Sequence, residues 1–269
     1  MFKFSKNIEF VCGDPHHVFK IPNFFEWDDY KKISENFPNI NEKILDHEKN
    51  FGKFSLMPNI PKEKNNETKD IFGRENILSY SNENQKEILK KLHDTLMSSS
   101  LFNFFTSKVF LKNALLQKNL MKTLKYLRPA SRYEGKKSIL DFFFSKLETR
   151  YVFSFIKNKG GIFPHTDAQR KYLSLMIYFP DKIYDDKGYG TTFWNSNIKN
   201  YKNIQLNTVE ELKEFKKNSE ISYKTDFEPN CLYGFLRSDL SWHSVEPLDI
   251  NKNYIRKSIN INMKYINLI

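Results

Sequence analysis

A chain of 269 residues can bury one sizeable core or two small ones, and 25 Phe and 14 Tyr supply bulky material for it. No run of about 18 apolar residues occurs, which argues against a transmembrane helix, and Cys12 and Cys231 are too few and too far apart for a disulfide framework or a CxxC clip. The formal charge of +11 raises nucleic acid as a partner; its lysines are dispersed among Asn, Ile and Glu without a dense basic cluster, so the charge reads as background composition and no nucleic-acid partner is expected.

The opening segment, MFKFSKNIEFVCGDPHHVFK, lacks a long apolar stretch followed by a small-residue cleavage site, so a cytoplasmic location and no membrane partner are expected. Residues 16–37 read as a short strand, a turn at Pro22-Asn23 and a helix with acidic residues at its start. Residues 46–80 are polar and carry Pro58 and Pro61, the mark of a loop. Ile88, Leu89, Leu92 and Leu96 then fall at helical spacing, and a second helix is expected through LFNFFTSKVFLKNALLQKNL. His16, His17 and His47 read as surface residues.

From about residue 138 the texture changes to short β-branched or aromatic segments such as RKYLSLMIYF, GTTFWNS and NCLYGFLR, separated by Gly, Pro, Asp and Asn. That is the pattern of an antiparallel sandwich or barrel. One helical insertion, TVEELKEFKKN at 208–218, interrupts it. The expected architecture is α+β: a helix-rich N-terminal part, 1–137, packed on a β core, 138–269, as one domain over 1–269.

Chemistry concentrates in GGIFPHTDAQRKYLSLMIYFPD. In an extended strand residues i and i+2 share a face, so His165 and Asp167 project together; the plain alternative is a polar turn between strands. A third ligand must come from a distant strand, and His243 in SDLSWHSVEP is the candidate. Two histidines and one carboxylate on one face of a metal leave three positions open, as in non-haem Fe(II) oxygenases. A 2-oxo acid and dioxygen fit those positions, and arginine's planar fork suits the far carboxylate of 2-oxoglutarate. Arg256 follows His243 by thirteen residues, Ser258 shares its face, and Tyr178 ends the apolar strand after the HTD segment.

HTD, KYLSLMIYFPD, GYGTTFW, WHSVEP and IRKSIN, in that order, resemble the 2-oxoglutarate/Fe(II)-dependent oxygenase superfamily, in particular its prolyl 4-hydroxylase-like branch. The HxD…H…R pattern matches at His165, Asp167, His243 and Arg256, and the glycine-rich stretch at Gly188, Gly190, Thr191, Thr192 and Phe193. VFKIPNFFEWDDYKKISENFP is similar to the branch's opening strand and helix. The resemblance implies a double-stranded β-helix (jelly-roll/cupin-like) core, with Fe(II) held by His165, Asp167 and His243. It implies 2-oxoglutarate held by Arg256 with Tyr178 and Ser258, O2 as the oxidant, and a dioxygenase that hydroxylates an unactivated C–H bond with release of succinate and CO2. Asp167 favours hydroxylation over halogenation, since halogenating relatives carry a small residue there.

An arginine in place of the lysine of many prolyl 4-hydroxylases, and Ile156 where a tyrosine is frequent, point away from collagen-type prolyl hydroxylation. Lys171, Thr192, Trp194 and Trp242 are candidates for the substrate pocket, and a small-molecule, sugar or protein side-chain substrate is expected. The competing readings are a non-catalytic metal- or ligand-binding β-barrel serving as sensor or scaffold, and an oxygenase directed at nucleic acid. Oligomeric state is not legible in the sequence.

Overall fold

The structure is a computed structural model that describes residues 1–40, 53–57, 75–76, 81–107, 147–168, 171–181, 188–198, 206, 208–249 and 254–265. Its centre is made by strands whose side chains alternate in character. Strand β12 (Ile255–Tyr265) lies between β5 (Leu147–Lys157) and β7 (Lys171–Phe179), antiparallel to both. Successive side chains of a strand leave on opposite faces. Ile259, Ile261 and Met263 of β12 therefore join the main apolar core, while Arg256, Ser258, Asn260 and Asn262 face the other way.

The large sheet has eight strands in the order β1-β2-β10-β7-β12-β5-β3-β4, with β1 at Glu9–Cys12, β2 at Val18–Ile21, β3 at Lys53–Met57, β4 at Glu75–Asn76 and β10 at Leu232–Leu236. A second sheet has the order β6-β11-β8-β9, with β6 at Ile162–His165, β8 at Thr192–Ser196, β9 at Ser219–Lys224 and β11 at Trp242–Val245. Every strand pair except β3–β4 is antiparallel. The result is a jelly-roll-like sandwich. One apolar cluster joins Ile33, Phe37, Leu89, Leu92 and Leu96 to the large sheet through Phe153, Phe155, Leu175 and Ile259; each such side chain contributes about 1.5–3 kcal/mol by burial. A second cluster joins β7 to the small sheet through Met176, Tyr178, Phe193, Tyr233 and Phe235.

Helices occur where the caps announce them. Asn82 and Gln85 form a capping box at the start of Glu83–Leu96, and Thr208 and Glu211 form another at the start of Val209–Lys217. Helix Trp27–Glu35 opens with Asp28 and Asp29, and residues 99–107 are also helical. The expected helix-rich N-terminal half is corrected by the sheet order. Strands β1 and β2 extend the large sheet beyond β10, and β3 and β4 extend it beyond β5, so this half supplies both edges of the large sheet. These strands are four, four, five and two residues long, too short for their alternation to stand out. The expected boundary at 137/138, most of the expected loop at 46–80, His47 and the continuation of the second helix past residue 107 lie outside the described residues. No helix among the described residues is long and apolar enough to cross a membrane.

Candidate metal centre

The small sheet sets the two histidines side by side. Strand β11 pairs with β6 so that His243 is directly opposite His165, and the ring centroids are 4.2 Å apart. His165 Nδ1 lies 2.9 Å from the Phe163 carbonyl oxygen and His243 Nδ1 lies 3.0 Å from that of Ser241. A carbonyl oxygen only accepts, so each Nδ1 donates its proton and each Nε2 keeps a lone pair directed elsewhere. Burial pushes His165 down to about 3, with His243 adding to the effect, and burial lowers His243 as well. Both rings are therefore neutral near pH 7, the form in which imidazole serves as a ligand.

Asp167 follows the end of β6 and is 2% exposed. One ligand atom from each of His165, Asp167 and His243 lies within 4.8 Å of the others, and Asp167 Oδ1 is 4.0 Å from His243 Nε2. The carboxylate is held on both sides: Ser174 Oγ donates to Oδ2 at 2.5 Å, and Lys171 Nζ donates to Oδ1. Burial works against its charge, but Lys171 and the two imidazoles outweigh burial and hold the carboxyl well below the usual carboxylate range. Arg237 Nε donates to the Asp167 carbonyl at 3.1 Å and fixes the backbone. The donor set, two neutral imidazole nitrogens and one ionised carboxylate, fits a divalent transition metal with open positions. Ser174→Ala is expected to weaken binding of Mn(II) or Fe(II) by about 10- to 100-fold through loss of carboxylate orientation; calorimetric titration of the purified variant measures it.

Arg256 is 3% exposed, and no carboxylate among the described residues pairs with it. Its Nε donates to the Tyr189 carbonyl at 2.7 Å, its Nη1 reaches Ser258 Oγ at 3.5 Å, and its guanidinium lies 5.0 Å from the ring centroids of both Tyr178 and Phe227. Neighbouring cations are already paired: Arg237 lies 2.6 Å from Asp239, a close ion pair without hydrogen-bond alignment, and Lys257 lies 3.7 Å from Asp181. A buried guanidinium lacking a carboxylate is a costly arrangement unless an anion completes it.

The Tyr178 hydroxyl is shared between Thr191 Oγ1 at 2.9 Å and Thr225 Oγ1 at 3.0 Å. Thr225 comes this close because residue 190 is glycine; a Cβ there would lie 2.0 Å from the Thr225 carbonyl oxygen. Ser174, Met176 and Tyr178 share one face of β7, so a single strand carries Ser174 against Asp167 at one end and Tyr178 beneath Arg256 at the other.

His165, Asp167, His243 and Lys171 are thus together, as are Arg256, Tyr178 and Ser258. Trp194 and Trp242 instead pack with Phe215 of helix Val209–Lys217, on the opposite face of their strands from Phe193 and His243. Thr192 lies on that same face, opposite Ser244 in register, and its hydroxyl is buried without a hydrogen-bond partner among the described residues. Sequence reasoning missed three residues. Ser174 had a signal, as a polar residue at alternate spacing from Tyr178 in an apolar strand; Thr225 had none. The third, His16, was expected at the surface but is fully buried. Its ring lies 5.2 Å from that of Phe193, itself 6.2 Å from His243, and neither of its nitrogens has a hydrogen-bond partner among the described residues; Asn195 lies close enough to influence it without being aligned to bond.

No family model matches the chain, and no curated protein matches its sequence. Among solved structures it is similar to a prolyl-4-hydroxylase from Pseudomonas putida, with 11% identity over 93% of this chain and 93% of that chain and a TM-score of 0.44. A prolyl hydroxylase from Trichoplax adhaerens, in complex with a hypoxia inducible factor oxygen degradation domain peptide fragment, has 10% identity over 92% of this chain and 83% of that chain, also at 0.44. A 2OG-Fe(II) oxygenase family oxidoreductase from Burkholderia pseudomallei has 11% identity over 45% of this chain and 46% of that chain, at 0.27.

Proposed function

We propose that the chain is an Fe(II)- and 2-oxoglutarate-dependent dioxygenase of the prolyl 4-hydroxylase-like branch, with its sandwich acting as a double-stranded β-helix within one domain. Its substrate is a small molecule, a sugar or a protein side chain carrying an unactivated C–H bond. The observation that carries this reading is a buried Arg256, paired with no carboxylate among the described residues, on the same sandwich as an open three-ligand set. A metal alone explains the triad; a metal together with a dicarboxylate explains both.

In this reading His165, Asp167 and His243 hold Fe(II), and Arg256 with Ser258 takes the far carboxylate of 2-oxoglutarate. Bound there, Fe(II) supplies the centre at which O2 is reduced as 2-oxoglutarate is converted to succinate and CO2 and the substrate gains a hydroxyl. The protein's part is orientation and exclusion of water. The Phe163 and Ser241 carbonyls fix the imidazole tautomers. Ser174 keeps Oδ2 occupied, so that Oδ1 is the oxygen facing His243. Thr191 and Thr225 anchor the Tyr178 ring beneath the guanidinium, and the Phe235 ring, 4.6 Å from that of His243, makes one wall of the centre apolar.

The test is an anaerobic titration of the purified chain with Fe(II) and then 2-oxoglutarate. A metal-to-ligand charge-transfer band in the visible is expected, and its absence would remove the reading. The band without succinate formation on admitting O2 would favour the sensor or scaffold instead.

A further inference from the structure

Asp167 contributes the only carboxylate of the triad, and protein groups engage both of its oxygens. Ser174 holds Oδ2 and the Lys171 ammonium holds Oδ1. Oδ1 is also the oxygen facing His243 Nε2, at 4.0 Å. With Oδ2 committed to Ser174, Oδ1 is the atom through which Asp167 joins the two histidines around a cation. Lys171 therefore sits on the donor atom that a divalent ion requires.

An ammonium and a divalent cation on one carboxylate oxygen repel strongly at such separations, even with the screening of a partly wet site. Lys171 can yield and Asp167 cannot. The lysine side chain is 23% exposed and the aspartate side chain 3%. A four-carbon stem lets the ammonium retreat toward water, whereas Asp167 is fixed by Ser174 at its side chain and by Arg237 at its carbonyl.

We propose that Lys171 is a displaceable counter-ion. It stabilises the Asp167 carboxylate while no metal is bound and must leave Oδ1 for a metal to enter, which sets metal affinity below that of the bare triad. The proposal rests on the triad being a metal centre. It makes Lys171 a positioning residue tied to metal occupancy, with a role in substrate contact not required. A permanent bridge that merely orients Asp167 would have the opposite consequence, because its loss would weaken metal binding.

The experiment compares Mn(II) binding, followed by electron paramagnetic resonance, in the metal-stripped full chain and in Lys171→Met and Lys171→Gln. Both variants are expected to bind Mn(II) at least about tenfold more tightly than the parent. In chelator, both are expected to melt lower than the parent, since Asp167 loses its counter-ion. Their melting temperatures are expected to rise more on adding Mn(II). Lys86→Met, which removes an exposed pair with Glu83, is the control and should move neither readout. Unchanged or weaker Mn(II) binding in folded Lys171→Met or Lys171→Gln overturns the proposal while leaving the metal centre standing. Absence of Mn(II) binding from the parent and both variants overturns the metal centre and the proposal together.

Discussion

Asp167→Ala is expected to lower 2-oxoglutarate-dependent succinate formation by more than about 100-fold and to abolish tight metal binding. Loss of a group that merely orients a ligand costs about 10- to 100-fold, and Asp167 is itself a ligand in the proposed site, so its removal must exceed that range. The cause is electrostatic as much as geometric. His165 and His243 are neutral, so Asp167 brings the only negative charge among the three ligands to an incoming divalent ion. Asp167→Asn separates charge from shape, because the amide oxygen can still accept from Ser174. That variant should share the loss of metal binding and melt below the parent, because the Lys171 ammonium loses its carboxylate partner. Succinate formation at the parental rate in Asp167→Ala would remove the triad from the mechanism.

Much of this site was legible because strand alternation is a rigid rule. His165 and Asp167 two apart, and Arg256 and Ser258 two apart, each predicted a shared direction, and the described structure places each pair together. The same rule also separates neighbours. Trp242 precedes His243 directly, so the two had to leave their strand on opposite faces, and Trp242 lies against Phe215 rather than over the triad. Trp194 goes with it, because it pairs with Trp242 in register while Phe193 pairs with His243.

What was not legible depends on partners distant in sequence. Thr225 reaches Tyr178 only because Gly190 admits its backbone. His16 sits in a turn between Pro15 and His17 that reads as polar surface. It is buried because Ser238 binds the Pro15 carbonyl and Phe193 packs on the ring. The N-terminal half read as helical because its helices have full amphipathic periods. Its strands are short pieces whose place at the two sheet edges is decided by β10 and β5.

Arg256→Met is expected to act in opposite directions on ligand binding and on stability. The KM for 2-oxoglutarate should rise by roughly 30-fold or more, since truncating one partner of a buried, hydrogen-bonded charge pair costs about 2–5 kcal/mol and each 1.4 kcal/mol is about tenfold. Without 2-oxoglutarate the same change should stabilise the fold. It removes a buried guanidinium that no described carboxylate neutralises and sets an apolar chain against Tyr178 and Phe227. Replacing buried charge by apolar side chains of similar volume stabilises proteins by up to about 1–4 kcal/mol. The lost charge-assisted bond to the Tyr189 carbonyl offsets about 1.5–3 kcal/mol of this, so the net gain is small. Arg256→Lys keeps the charge and loses the planar fork, so it should fall between parent and methionine variant in KM. The check is a pair of melts for each protein, with and without saturating 2-oxoglutarate. The parent should melt higher with the ligand, and Arg256→Met should melt above the parent without it and gain little from it. A methionine variant that binds 2-oxoglutarate as the parent does would mean that the buried guanidinium serves some other anion.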